Sequence, residues 1–196
     1  GKTLRADLLV GADGIHSTVR ALVFGDEAQY LRYLGFHTAA FIFDAPAIRE
    51  AAGDDVALTD TIDRQIGFYG LRDGKVAVFA VHRAPDRQLP EDTRAAIRAA
   101  YADMGWLVPE ALQLCPPTPE IYYDEVAQVV MPRWHKNRVV LIGDACSAVS
   151  LLAGQGASLA VGAAYVLAEQ LRRTSSIERA LDFYEQLWRP EVEEKQ

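Results

Sequence analysis

The sequence predicts an α/β fold in which one α/β domain is split by a β-rich insertion. Two strand–turn–helix signatures far apart in the chain, and a run of strand patterns between them, carry that prediction. The first is the apolar run Leu8-Leu9-Val10, stopped by Gly11-Ala12-Asp13-Gly14 and followed by Ser17, an N-cap for Thr18-Val19-Arg20-Ala21-Leu22. The second is Val139-Val140-Leu141-Ile142, stopped by Gly143-Asp144-Ala145, with Gly154-Gln155-Gly156 opening a helix. Two short strands do not make a stable parallel sheet, so further strands are expected from elsewhere.

Between these signatures the pattern is mostly β. Residues 31 to 43 are aromatic and β-branched enough for a strand, which Asp44-Ala45-Pro46 stops. Val56, Leu58 and Ile62 share one parity, and Ile66, Phe68, Val76, Val78, Phe79 and Val81 continue the strand pattern. Asp73-Gly74 predicts a type I′ turn that pairs Arg64 to Arg72 with Lys75 to Arg83 as an antiparallel hairpin. Pro90-Glu91-Asp92 introduces a helix with Ile97, Tyr101 and Met104 on one face, ending near Gly105. Ile121 to Val130 reads as a strand, and Pro132 to Asn137 as a turn into the strand at Val139. Ala157 to Leu171 is apolar or small nearly all round, which predicts a helix enclosed by protein. Ser175-Ser176-Ile177-Glu178 is a capping-box pattern for a last helix that buries Ile177, Leu181, Tyr184 and Trp188 before Pro190.

Bulk properties narrow the function. A net charge of −7 and a pI near 5.1, with scattered basic residues, argue against a nucleic-acid partner. Cys115 and Cys146 are far apart and outside any CxxC spacing, so neither a disulfide framework nor a metal site is indicated, and a reducing, cytoplasmic setting is expected. The four histidines, His16, His37, His82 and His135, show no ligand spacing. Ala145 to Ala168 carries no charge, yet its glycines, Gln155 and three serines favour a loop and a buried helix over a membrane span. The chain begins without methionine or a signal-peptide core, which suggests a fragment.

The chemistry concentrates at the two strand ends. A carboxylate at the end of a buried strand is costly unless it accepts hydrogen bonds, so Asp144 serves either a ligand's hydroxyl pair or nearby backbone N–H groups as a cap. Gly154, Gln155 and Gly156 permit close backbone approach ahead of a positive helix terminus, or they build a tight turn. Asp13 and Arg20 form a second site of the same kind, or a structural ion pair. Phe68, Tyr69 and Phe79 either face a substrate pocket or pack across strands. Cys146 stands beside Asp144 without an evident base, which argues against nucleophilic catalysis.

Residues 8 to 20 resemble the DG motif of the class A FAD-dependent monooxygenases, the aromatic hydroxylases, throughout its length. Val140 to Ala145 with Gly154-Gln155-Gly156 is similar to that family's GD motif, and the spacing of the two fits the family. The resemblance implies the later part of a Rossmann-like FAD-binding domain interrupted by a β-sheet substrate domain: residues 1–28 and 132–196 for FAD, 29–131 for substrate. It implies FAD contacts from Asp13, Gly14, Arg20, Gly143, Asp144, Ala153, Gly154, Gln155, Gly156 and Ala157. Asp144 would take the ribityl or neighbouring part, the Gly154 loop would lie against the isoalloxazine, and Asp13 and Arg20 would serve FAD and NAD(P)H.

Family members reduce FAD with NAD(P)H, capture O2 as a C4a-hydroperoxide and oxygenate an aromatic or polyketide-like small molecule, with the protein supplying placement and water exclusion. No catalytic residue is assigned. The chain departs from the pattern in three places. Ser147 stands where the family has histidine, Ser150-Leu151 where it has its proline region, and no GxGxxG fingerprint follows the first strand. An N-terminal segment or second chain is therefore expected to complete the FAD site, and the isolated fragment is expected to be inactive. The alternatives are a non-catalytic binding or scaffold module and another flavin oxidoreductase on the same fold, of which the halogenases are disfavoured by the missing WxWxxP motif.

Overall fold

The computed structural model describes residues 3–196 as a mixed α/β chain of two compact units. One unit combines the chain up to Leu34 with Ala127–Gln196, and the other is Gly35–Val126.

The first unit holds the three-stranded sheet β1 (Leu9–Gly11), β8 (Val139–Leu141) and β7 (His135–Lys136), in that order. Strand β1 runs parallel to β8, with Leu9 opposite Val139 and Gly11 opposite Leu141, while β7 pairs antiparallel to β8. Helix α1 (Thr18–Val23) follows β1, and Ser17 caps it by accepting from the Arg20 backbone N–H at 2.9 Å. After β8 come one helical turn, α5 (Asp144–Ser147), a 3-10 turn (Leu151–Ala153), and the long helices α6 (Gly156–Arg173) and α7 (Ile177–Glu193). Leu141, Leu167, Leu181 and Tyr184 are among the buried residues of its core.

Three expectations change here. Helix α6 buries only Ala163 and Leu167, and one side stays open with Val161 and Tyr165 each 71% exposed, because the sheet beside it has only three strands to cover it. Helix α7 does not stop before Pro190 but continues to Glu193, and its N-cap is Ser176 rather than Ser175. Among the described residues no helix is long and apolar enough to cross a membrane.

The second unit contains most of a five-stranded sheet ordered β3 (Ala57–Thr61), β4 (Arg64–Gly70), β5 (Val76–Arg83), β2 (Leu31–Phe43), β6 (Tyr122–Val129). Helices α2 (Pro46–Ala52), α3 (Thr93–Ala100) and α4 (Val108–Leu114) contribute to a core containing Phe41, Ile48, Ile66, Phe68, Val78, Ile97 and Tyr101. Each such large apolar side chain contributes roughly 1.5–3 kcal/mol on burial. Asp92 caps α3, as the Pro90-Glu91-Asp92 signal predicts, and burial of Ile97, Tyr101 and Met104 follows the expected stripe.

The predicted hairpin forms, with Gly70 opposite Val76, but its turn is not type I′. Leu71 N–H donates to the Lys75 carbonyl and Gly74 N–H to the Leu71 carbonyl, leaving three residues in the loop with only Gly74 at positive φ (+88°). That is a type I turn closed by a left-handed glycine, since Asp73 does not adopt the positive φ that type I′ requires. A second hairpin joins β3 to β4 through Ile62 and Asp63, with Asp63 at φ 68°.

Candidate functional site

The strand ends of β1 and β8 meet side by side, and Ile142 N–H continues the ladder to the Gly11 carbonyl at 2.9 Å. Beyond them opens a groove of about 470 Å3 lined by Ala12, Gly14, Ile142, Gly143, Asp144, Gly156, Ala157, Ala160, Val161 and Ala164. Of the ten residues singled out from the sequence, Gly14, Gly143, Asp144, Gly156 and Ala157 line it. Ala12, Ile142, Ala160, Val161 and Ala164 were missed. The signal for the last group was the spacing of small residues at 157, 160 and 164, which fall on one face of a helix.

Asp144 is the only charged lining residue. Its side chain is open to solvent at one side, burial by the surrounding protein raises its carboxyl above the ordinary carboxylate range, and no hydrogen-bond partner for it occurs among the described residues. It therefore does not act as a cap. Gly143 before it has φ +59°, and a Cβ there would meet the Ala160 Cβ at 3.0 Å, so this corner is shaped for glycine on two counts. Across the groove, α6 starts at Gly156 with no side chain capping its first N–H groups. Its free N–H groups and positive dipole end are available to a partner. A Cβ on Gly156 would come within 3.7 Å of Asp144 Oδ1, so the missing side chain keeps helix and carboxylate open to the same space.

Asp13 and Arg20 lie outside the groove lining and hold its walls. Asp13 accepts from Ser17 Oγ at 2.5 Å and from Val19 N–H at 3.0 Å. Burial pulls its carboxyl upward, but the hydrogen bonds from Ser17 and Val19 outweigh this and hold it below the usual range. Arg20 is fully buried and donates to Ala145 O at 2.9 Å, Ile15 O at 2.5 Å and Glu27 Oε2 at 2.5 Å. The ion pair, one of the two readings of Asp13 and Arg20, gives way to two separate arrangements, because the Ser17 cap turns Asp13 toward the start of α1 while Arg20 points inward. Arg20 reaches 125 residues along the chain to fix the carbonyl that follows Asp144.

The rest of the loop is ordered by short-range bonds. Ser147 Oγ donates to Gly143 O at 3.0 Å, and Ser150 Oγ accepts from Leu152 N–H at 3.1 Å. Ala153, Gly154 and Gln155 form the exposed segment ahead of α6, with Gly154 at φ +64° and its N–H on Leu151 O. Cys146 is buried with its thiol toward Leu141 O at 3.3 Å, and burial pushes it up to about 12. It is a packing residue.

In the sheet unit, the three aromatics divide between faces. Phe68 is fully buried in the core, whereas Tyr69 and Phe79 occupy the opposite strand parity and keep some exposure. His37 and His82 join Tyr101 and Tyr123 in a hydrogen-bonded chain with contacts of 3.1 to 3.3 Å.

An FAD-binding domain model matches residues 1–194. An uncharacterized protein of Mycobacterium tuberculosis is 37% identical over 85% of this chain and 45% of its own length. A flavin-dependent monooxygenase from an unknown prokaryotic organism is 32% identical over the whole chain and 51% of its own length. Among solved structures, the tetracycline destructase Tet(51) superimposes with a TM-score of 0.82 at 30% identity, covering 100% of this chain and 53% of that one. The chain spans about half the length of the curated relatives it matches.

Proposed function

Since the chain belongs to the FAD-binding domain family of flavin-dependent monooxygenases, we propose that it supplies the later part of an FAD site and the substrate-recognising sheet of a small-molecule hydroxylase. The observation that carries this reading is Asp144, a carboxylate without a hydrogen-bond partner at the carboxyl end of a strand, where open α/β sheets bind ligands. Its chemistry suits vicinal hydroxyls, which donate to a carboxylate, and the uncapped start of α6 suits an electron-rich ring edge. FAD has both.

In this assignment Asp144 holds the ribityl chain or its neighbour, and Gly143 and Gly14 let the cofactor approach the backbone. Ala153, Gly154, Gln155, Gly156 and Ala157 lie against the isoalloxazine. Asp13 and Arg20 serve FAD and NAD(P)H as positioning residues, Asp13 by fixing the start of α1 and Arg20 by holding the Ala145 carbonyl. When bound, FAD supplies electron transfer from NAD(P)H and activation of O2, so that one oxygen atom reaches an aromatic or polyketide-like substrate. Residues 1–28 and 132–196 form the flavin part, and 29–131 the substrate part. The exposed apolar residues Leu9, Val10, Val161 and Tyr165 support an N-terminal segment or second chain that completes the site. Two buried free thiols support a reducing, cytoplasmic setting.

The natural gene product tests this directly. It should purify yellow and oxidise NADPH faster when an aromatic substrate is added. A colourless protein that ignores such substrates would sink the hydroxylase reading.

A further inference from the structure

We infer that the sheet unit binds a flat ring system bearing a positive charge, seated on Tyr69, Ile42 and Tyr122 with Glu120 as counter-ion. Strand register builds the seat. Ala77 of β5 lies opposite Tyr69 of β4 on one side and opposite Ile42 of β2 on the other. A small residue between two large ones in a row across three strands leaves a hollow. Ala77, 4% exposed, is its floor, and Tyr69 and Ile42, 39% and 53% exposed, are its walls. Tyr122, on the strand beyond β2, is 57% exposed and joins the lining of the resulting cavity of about 440 Å3. These side chains leave apolar surface in water on the face away from the core, a pattern that marks ligand-binding surface.

Charge decides the class of occupant. Glu120 is the only charged residue lining the hollow, and its carboxylate has no hydrogen bond or ion pair among the described residues. The faces of two tyrosines are themselves electron-rich and favour a cation. Tyr122 directs its hydroxyl to Asp124 Oδ2 at 2.9 Å, which fixes the ring as a wall. A planar aromatic cation, such as a protonated aminoaromatic or a quaternised nitrogen heterocycle, satisfies both the shape and the carboxylate. An anionic ring would meet Glu120 as a like charge. Calling this ligand the substrate rests on the proposed function; its binding does not.

The test uses the 196-residue chain and three ring probes of one size: the N-methylquinolinium cation, neutral 1-methylnaphthalene and the 1-naphthoate anion. Calorimetric titration should show saturable 1:1 binding of the cation about 3- to 10-fold tighter than the neutral probe, with the anion weakest. Glu120→Gln, at an exposed position, should bring the cation to the neutral probe's affinity and leave the neutral probe unchanged. Ala77→Leu should abolish both. Absence of cation binding, equal binding of the anion, or an unaffected Glu120→Gln variant would each overturn the proposal. So would concentration-dependent dimerisation dissolved by Tyr122→Ser, which would give the face to a second copy. Cation binding beside a colourless gene product would remove only the word substrate, whereas a yellow, active enzyme without cation binding would overturn this inference alone.

Discussion

In the groove unit the carboxylate of Asp144 stands without a hydrogen-bond partner at a glycine-shaped corner, while in the sheet unit His37, His82, Tyr101 and Tyr123 are linked to one another by hydrogen bonds. There Tyr101 shares a hydrogen bond with His82 Nδ1, His82 Nε2 shares one with the Tyr123 hydroxyl, and that hydroxyl shares one with His37 Nδ1. Interior polar groups that bond one another hold a fold together, whereas a carboxylate without a partner beside open space keeps its hydrogen-bonding capacity, on which the proposed flavin contact draws.

The largest expected effect breaks the groove unit at its buried staple. Arg20→Met takes the donor from the Ala145 and Ile15 carbonyls and from Glu27 Oε2, while Glu27 Oε1 keeps His16, and should cost about 3–5 kcal/mol in urea unfolding. The sheet unit, which Arg20 does not touch through these bonds, should retain its tyrosine fluorescence longer through the transition. A loss below about 1 kcal/mol would mean the staple is dispensable.

A paired substitution sharpens the contrast between strain and crowding. Gly143→Ala meets both a φ of +59° and a Cβ contact of 3.0 Å, and should destabilise by about 1–3 kcal/mol. Gly14→Ala, at φ +82° with nothing within 4 Å, carries only the backbone term of about 1–2 kcal/mol. Thermal melts that rank Gly14→Ala as the worse variant would contradict the packing described at Ala160.

The sheet unit is expected to lose stability between about pH 6.5 and 4 through His82. Burial, followed by the neighbouring His37, pulls His82 down to about 4, against an ordinary histidine value near 6.5. Above pH 6.5 both folded and unfolded chains carry a neutral ring, and nothing is gained or lost. As pH falls from about 6.5 to about 4, the unfolded chain takes up a proton that the folded ring refuses, so stability falls across that window. The ring's remaining solvent contact keeps this effect below those of Arg20→Met and Gly143→Ala. His82→Gln should flatten the dependence seen by chemical denaturation at stepped pH; an unchanged slope would point to another group.

Local chemistry was legible in the sequence and long-range partnership was not. Ser17, Asp92 and the strand parity of β4 and β5 follow from neighbours a few residues away, and Gly143-Asp144 marks the groove by its place after an apolar run. Helix α4 escaped because a seven-residue helix following Trp106 at φ 57° shows too little periodicity to read. The true partner of Arg20 is not legible locally, since nothing near it announces a carbonyl 125 residues away. The open face of α6 is hidden in the sequence for a related reason: its apolar composition is that of a covered helix, and only the small extent of the sheet leaves Val161 and Tyr165 uncovered.

In the proposed flavin role, Asp144 is held ready for a ligand and not for the fold. Asp144→Asn in the natural gene product, followed by chemical unfolding and by FAD titration, tests it most directly. Stability within about 0.5 kcal/mol of the parent together with FAD affinity weakened by about 10-fold or more is the predicted result. A clearly destabilised variant that binds FAD as the parent does would contradict it.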